Sequence, residues 1–134
     1  MRAFREAVEA GDIDAAVALL AEDVVFTSPV AFKPYPGKPI TAAILRGVLR
    51  VFEDFTYVRE IANPDGRDHA LVFTATVNGK QINGCDFLHF DEDGKIDEFM
   101  VMVRPLSGAH ALAEAMNAQF EQISREAANT SGAA

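Results

Sequence analysis

Hydrophobic residues first recur at helical spacing. Phe4 and Val8 lie one turn apart, and Gly11 suits a helix C-terminus. Asp12 fits the N-cap of a second helix with Ile13, Ala16, Val17 and Leu20 on its inner side. "DVVFTS" then turns to β-branched and aromatic residues, which predicts a short strand. "PVAFKPYPGKP" holds four prolines and a glycine, so it is expected to be an irregular loop. Long loops in small domains are more often functional than idle. Ile40, Ile44, Val48 and Phe52 restore the helical period.

The period then falls to two. "FTYVREIA" precedes "NPDG", "HALVFTATV" precedes "NGK", "QINGCDFLHF" precedes "DEDGK", and "IDEFMVMV" follows. Asn-Gly and Asp-Gly between alternating runs are strong hairpin signals, so four successive antiparallel strands are predicted. Pro105 ends the sheet, and Leu112, Met116, Phe120 and Ile123 form an apolar stripe on a last helix. The order predicts an α+β domain with helices gathered on one face of a curved sheet. One domain is expected over residues 1–125, with 126–134 a flexible tail ending in "NTSGAA".

Composition narrows the functional classes. The net charge of -8 argues against nucleic acid, which draws on clustered Lys and Arg, and against an anionic membrane. No apolar run approaches the roughly 20 residues that span a bilayer, and no signal segment is visible. With the single Cys85 unable to form an internal disulfide, a cytoplasmic location is expected. Cys85 and His89 share a strand face but lie roughly 13 Å apart along it, while Asp86 faces the other way. No metal site and no cofactor are expected there. "DEDG" lacks the later ligands of a calcium loop and reads as a turn. His110 and Glu114 read as a surface pair, and Ser28 has no base nearby in sequence.

Three segments, "AGDIDAAVALLAEDVVF", "SPVAFKPYPGKPI" and "CDFLHFDEDGKIDEF", resemble in order and spacing the nuclear transport factor 2-like (NTF2-like) superfamily. Within it, the chain is most similar to the SnoaL-like polyketide cyclases and ketosteroid isomerases. The resemblance implies a cystatin-like cone: N-terminal helices packed on a curved, mostly antiparallel sheet, plus a C-terminal helix. It also implies an apolar interior pocket for a small hydrophobic molecule. The isomerases place a general-base aspartate where this chain has Ser28, and a first-helix tyrosine where the nearest match is Phe4. Their second, protonated carboxylate falls on Asp86. One position of three is kept, which argues against steroid isomerisation. The Arg-x-Asp pattern of the related epoxide hydrolases is missing from "HALVFTATV" and "QINGCDFLHF".

Asp86 is the conspicuous residue. Alternation puts it with Gly84, Leu88 and Phe90 on the more apolar face of its strand. Within a cone, the inner faces would add Leu71, Phe73, Phe99, Val101 and Val103, while Phe26, Ser28, Phe32, Tyr35 and Ile44 would border the mouth. An aspartate buried there is expected to have a raised pKa and to be neutral near pH 7. A neutral carboxyl can act as a general acid on a carbonyl or enol oxygen, as in cofactor-independent isomerase or cyclase chemistry. SnoaL-type cyclases are thought to need little more, since their substrates are already acidic at carbon. The alternative is a non-catalytic ligand-binding or structural module, in which Asp86 only accepts hydrogen bonds from a neighbouring Tyr, Thr or backbone group. A cavity of about 300 Å³ or more would favour ligand binding; a hollow filled by Phe73, Phe90 and Phe99 would favour the structural role. The outer face, with Val72, Thr74, Cys85, Phe87, Met100 and Met102, is apolar enough to predict a homodimer contact, as the superfamily commonly forms.

Overall fold

Asn78 and Gly79, both at positive φ (47° and 78°), turn one hairpin, and Gly94 (φ 75°) turns the next. Such left-handed positions are where glycine and asparagine cost least. A computed structural model of the chain describes residues 2–132. Its elements are α1 (Arg2–Glu9), α2 (Ile13–Val17), β1 (Leu20–Thr27), β2 (Tyr35–Pro36) and α3 (Lys38–Val51), followed by β3 (Glu53–Ala62), β4 (Asp68–Val77), β5 (Lys80–Phe90), β6 (Ile96–Arg104) and α4 (Leu106–Gly132). The α+β layout follows the pattern in the sequence. The side chain of Asp12 caps α2 by accepting from the Ala15 amide at 3.2 Å.

The six strands order as β2-β1-β6-β5-β4-β3. All neighbours are antiparallel except β1 and β6. That parallel pairing, and the two-residue β2 inside the proline-rich loop, go beyond what local pattern predicts. Register places Leu71 opposite Asp86 and Phe73 opposite Gly84. Burial alternates along β4 and β5, with Leu71, Phe73, Ala75, Val77, Ile82, Asp86, Leu88 and Phe90 all turned inward. A Cβ at Gly84 would stand 2.1 Å from Phe73 Cζ, so the Phe73 ring lies directly on the Gly84 backbone.

The long α4 corrects one expectation. Residues 126–132 continue the helix rather than starting a tail, because "SREAAN" is rich in helix formers and Ala127 packs against the core. Residues 133 and 134 lie outside the described part. Of the predicted stripe on α4, Leu112 and Ile123 are buried and Met116 is half-buried, but Phe120 is 53% exposed.

Candidate active site

Between the sheet and the helices lies a cavity of about 70 Å³. Its walls are nearly all aliphatic or aromatic: Phe4 and Val8 from α1, Ile44 and Val48 from α3 with Phe52 just after it, Phe55 and Phe73 from the sheet, and Leu112 and Met116 from α4. Phe55 packs against Phe73 with ring centres 4.8 Å apart and meets Tyr57 edge-on at 4.9 Å. Phe99 does the same for the opposite wall, 5.5 Å from Phe26 and 5.6 Å from Phe4.

Asp86 is the only carboxylate lining this cavity among the described residues, and it is 7% exposed. Tyr57 Oη donates to Asp86 Oδ2 at 3.0 Å. Burial pushes the Asp86 carboxyl up to about 7, and the Tyr57 hydrogen bond pulls it the other way. Burial and then the nearby Asp86 charge push the Tyr57 hydroxyl well above the usual tyrosine range, so it remains a donor. Behind Tyr57, the Arg5 guanidinium sits 5.7 Å from the ring centre while bonding Glu9 and Glu60. The result is a hydrogen-bonded carboxyl–phenol pair in an apolar shell, able to offer a proton to an oxygen atom.

Of the residues singled out from sequence, Phe26, Ser28, Phe73, Asp86, Phe99 and Val101 border this cavity. Leu71, Leu88 and Phe90 do not: they are buried at 0%, 2% and 8% in solid core. Alternation identifies the inward face but not which inward side chains meet open space. Phe90, for instance, packs against His69 with ring centres 5.2 Å apart. Val103 is half-buried and also lies off the cavity. Phe32 is 98% exposed, because the irregular loop between β1 and β2 turns it out to solvent. Ser28 Oγ accepts from the Val30 amide at 3.1 Å, a local turn contact. Tyr35 borders a second hollow of about 180 Å³ between α3, α4 and the loop after β1. On the outer face, burial raises the Cys85 thiol pKa, and the hydrogen bond to Asp97 at 2.6 Å raises that of His89.

Sequence reasoning missed Tyr57. Its strand, β3, is exposed at nearly every other position and carries register shifts on both sides of Thr56–Tyr57, so no clean alternation marks it. It also missed Phe52, Phe55 and Leu112 as lining residues.

A curved six-stranded sheet with N-terminal helices packed on it and a C-terminal helix is the NTF2-like, cystatin-like fold. The model of the SnoaL-like domain matches residues 1–99, and the chain belongs to that family. Among solved structures, it is similar to a steroid delta-isomerase of Pseudomonas aeruginosa, at 44% identity and TM-score 0.84, over 89% of this chain and 87% of that one. A cystatin-like-fold protein of Silicibacter pomeroyi matches at 37% identity and TM-score 0.86, over 92% and 86%. A candidate polyketide cyclase of Pseudomonas putida matches at 26% identity and TM-score 0.63, over 80% and 90%. No curated protein matches the sequence. No helix among the described residues is long and apolar enough to cross a membrane.

Proposed function

We propose that this chain is a SnoaL-like enzyme of the isomerase or cyclase type, promoting proton transfer in a hydrophobic carbonyl compound with Asp86 as general acid. The observation that carries this reading is the Tyr57–Asp86 pair, whose carboxyl is pushed up to about 7 by burial. With Tyr57 donating into Oδ2, the carboxylic proton resides on Oδ1. A carbonyl oxygen bonded there gains most as it becomes an enolate, because a fixed donor in a dry site favours developing negative charge. The carbon proton passes to solvent water, since no second carboxylate lines the cavity among the described residues. A substrate already acidic at carbon suits such a site. The P. aeruginosa relative's name indicates isomerase chemistry on this scaffold, but Ser28 in place of a base points this chain to a more acidic substrate than an ordinary ketone.

A second reading, a ligand-binding or structural module without chemistry, is favoured by the cavity volume. About 70 Å³ is well below the roughly 300 Å³ at which small-molecule sites usually begin. Deuterium exchange at C1 of 2-tetralone, followed by NMR at pD 6, separates the two. The enzyme reading expects exchange at least about tenfold above buffer, lost in Asp86→Leu and reduced about tenfold in Tyr57→Phe. Equal exchange by the wild type and Asp86→Leu would leave the non-catalytic module.

The outer sheet face is proposed as a homodimer contact. Phe87 and Met102 are 37% and 53% exposed there, beside half-buried Val72, Thr74, Cys85 and Met100.

A further inference from the structure

Gly84 stands in the middle of β5, where glycine weakens a strand, and its φ lies outside the left-handed region, so no turn calls for it. What it supplies is space. Inward side chains of a sheet ordinarily stand roughly perpendicular to it. Phe73, directly opposite on β4, instead leans its ring across β5. A Cβ at Gly84 would lie 2.1 Å from its Cζ, 2.5 Å from Cε2 and 2.7 Å from Cε1. The end of the ring thus occupies the place of the missing side chain. On the ring's other side, Phe55 stacks at 4.8 Å and Phe52 packs at 5.6 Å. All three rings border the cavity that holds Asp86, whereas Gly84 does not. Asp86 is the next inward residue of β5 after Gly84, which makes Phe73 its diagonal neighbour, within reach of an aromatic side chain.

We propose that Gly84 and Phe73 are the size-determining pair of the site, fixing how large a group can lie against Asp86. This rests on Asp86 being the polar contact of the cavity. Gly84 seats the ring back against the sheet, and the space before the carboxyl begins where that ring ends. Phe73 is 1% exposed and closed in by Phe52, Phe55 and the β5 backbone. A ring lifted off Gly84 therefore moves, with the rings stacked on it, into the cavity they already border. A shorter side chain at position 73 does the reverse. With the cavity at about 70 Å³, the compounds admitted are those whose oxygen-bearing end is compact. Bulk there is turned away by Phe73, and the residue that decides where Phe73 lies never touches the ligand.

The test is a double-mutant cycle at positions 73 and 84, read by NMR titration at pH 6 with phenol and 2-naphthol, with folding followed in urea. Gly84→Ala should weaken phenol at least about tenfold, as overpacking does. In the Phe73→Leu background the same substitution should cost less than about threefold, because the shorter side chain clears the added methyl. Phe73→Leu alone should shift the ratio of 2-naphthol to phenol affinity at least about fivefold toward 2-naphthol, which a general loosening of the fold does not do. Phenol binding unchanged by Gly84→Ala, an equal loss in both backgrounds, or an unchanged ratio overturns the pair. Should Gly84→Ala alone fail to fold, the double variant against Phe73→Leu and the 2-naphthol ratio decide by the same criteria. Asp86→Leu tells the two failures apart. If phenol binding depends on Asp86 but ignores Gly84→Ala, only the size-determining pair falls; if it ignores Asp86, the reading of the cavity falls too.

Discussion

Asp86 gives folding a pH dependence of definite sign. Its folded-state pKa, about 7, lies above the ordinary carboxylate value of 3.8. Below the lower value both folded and unfolded chains hold the proton, and the full stabilisation is present. Between the two values the unfolded chain releases a proton that the folded one keeps, so stability falls as pH rises, and levels off above 7. A loss of a few kcal/mol between pH 4 and pH 7 is expected in urea unfolding, less whatever other groups contribute. Asp86→Leu should remove that loss but strand the Tyr57 hydroxyl, which is 4% exposed, at a cost of about 1–3 kcal/mol. Asp86→Leu with Tyr57→Phe should recover that cost and match or exceed the wild type at pH 8. A double variant still less stable there would mean that the pair is kept for structure and not for chemistry. Tyr57→Phe alone removes the bond that lowers the Asp86 pKa, so the carboxyl resonance should titrate higher, and the alkaline limb of the exchange rate should follow it. Asp86 was legible in the sequence because strict alternation in β5 put a carboxylate among Gly84, Leu88 and Phe90. Tyr57 was not, since it sits on a bulged edge strand and its partner lies 29 residues away, two strands over.

At the scale of elements, α4 is held by glycines that allow close approach. In a helix, Gly→Ala gains up to about 1 kcal/mol from backbone entropy, less in the first turn. A Cβ at Gly108 would stand 2.4 Å from Ile82 Cγ2, and Ile82 is 2% exposed with no room to turn. Overpacking of that kind costs about 1–3 kcal/mol, so the clash wins and Gly108→Ala should lower the urea midpoint. At Gly47 the nearest atom, 2.8 Å away, is Cδ1 at the far end of Ile123, and Gly47 lies mid-helix in α3. There the two effects nearly cancel, and Gly47→Ala should stay within about 0.5 kcal/mol of the wild type. The order of the two variants is the check; the reverse order would mean that α4 is not seated on Ile82. The hairpins were legible because Asn-Gly and Asp-Gly fix a turn locally. The parallel pairing of β1 with β6 was not, because it depends on contacts distant in sequence, whereas the helix formers that carry α4 to Gly132 stand in the local sequence and were passed over. Phe32 misled for a related reason: four prolines announce an irregular loop without saying which way its side chains point.

For the whole molecule, charge and the apolar outer face oppose each other, and that opposition makes the homodimer testable. Two copies at -8 each repel, and a contact through Phe87, Met100 and Met102 offers no ion pairs to compensate. Added salt screens the repulsion and leaves the apolar gain intact, so the dimer should tighten between about 0.01 M and 0.15 M salt, as the Debye length shrinks from about 30 Å to about 8 Å. An interface held by opposite charges would weaken over the same range. Sedimentation should show the dimer in the wild type and a monomer in Phe87→Lys with Met102→Lys. Both side chains point away from the cavity, on the face opposite Asp86. The same double variant should therefore keep its 2-tetralone exchange; losing exchange together with the dimer would mean that the second copy shapes the hollow.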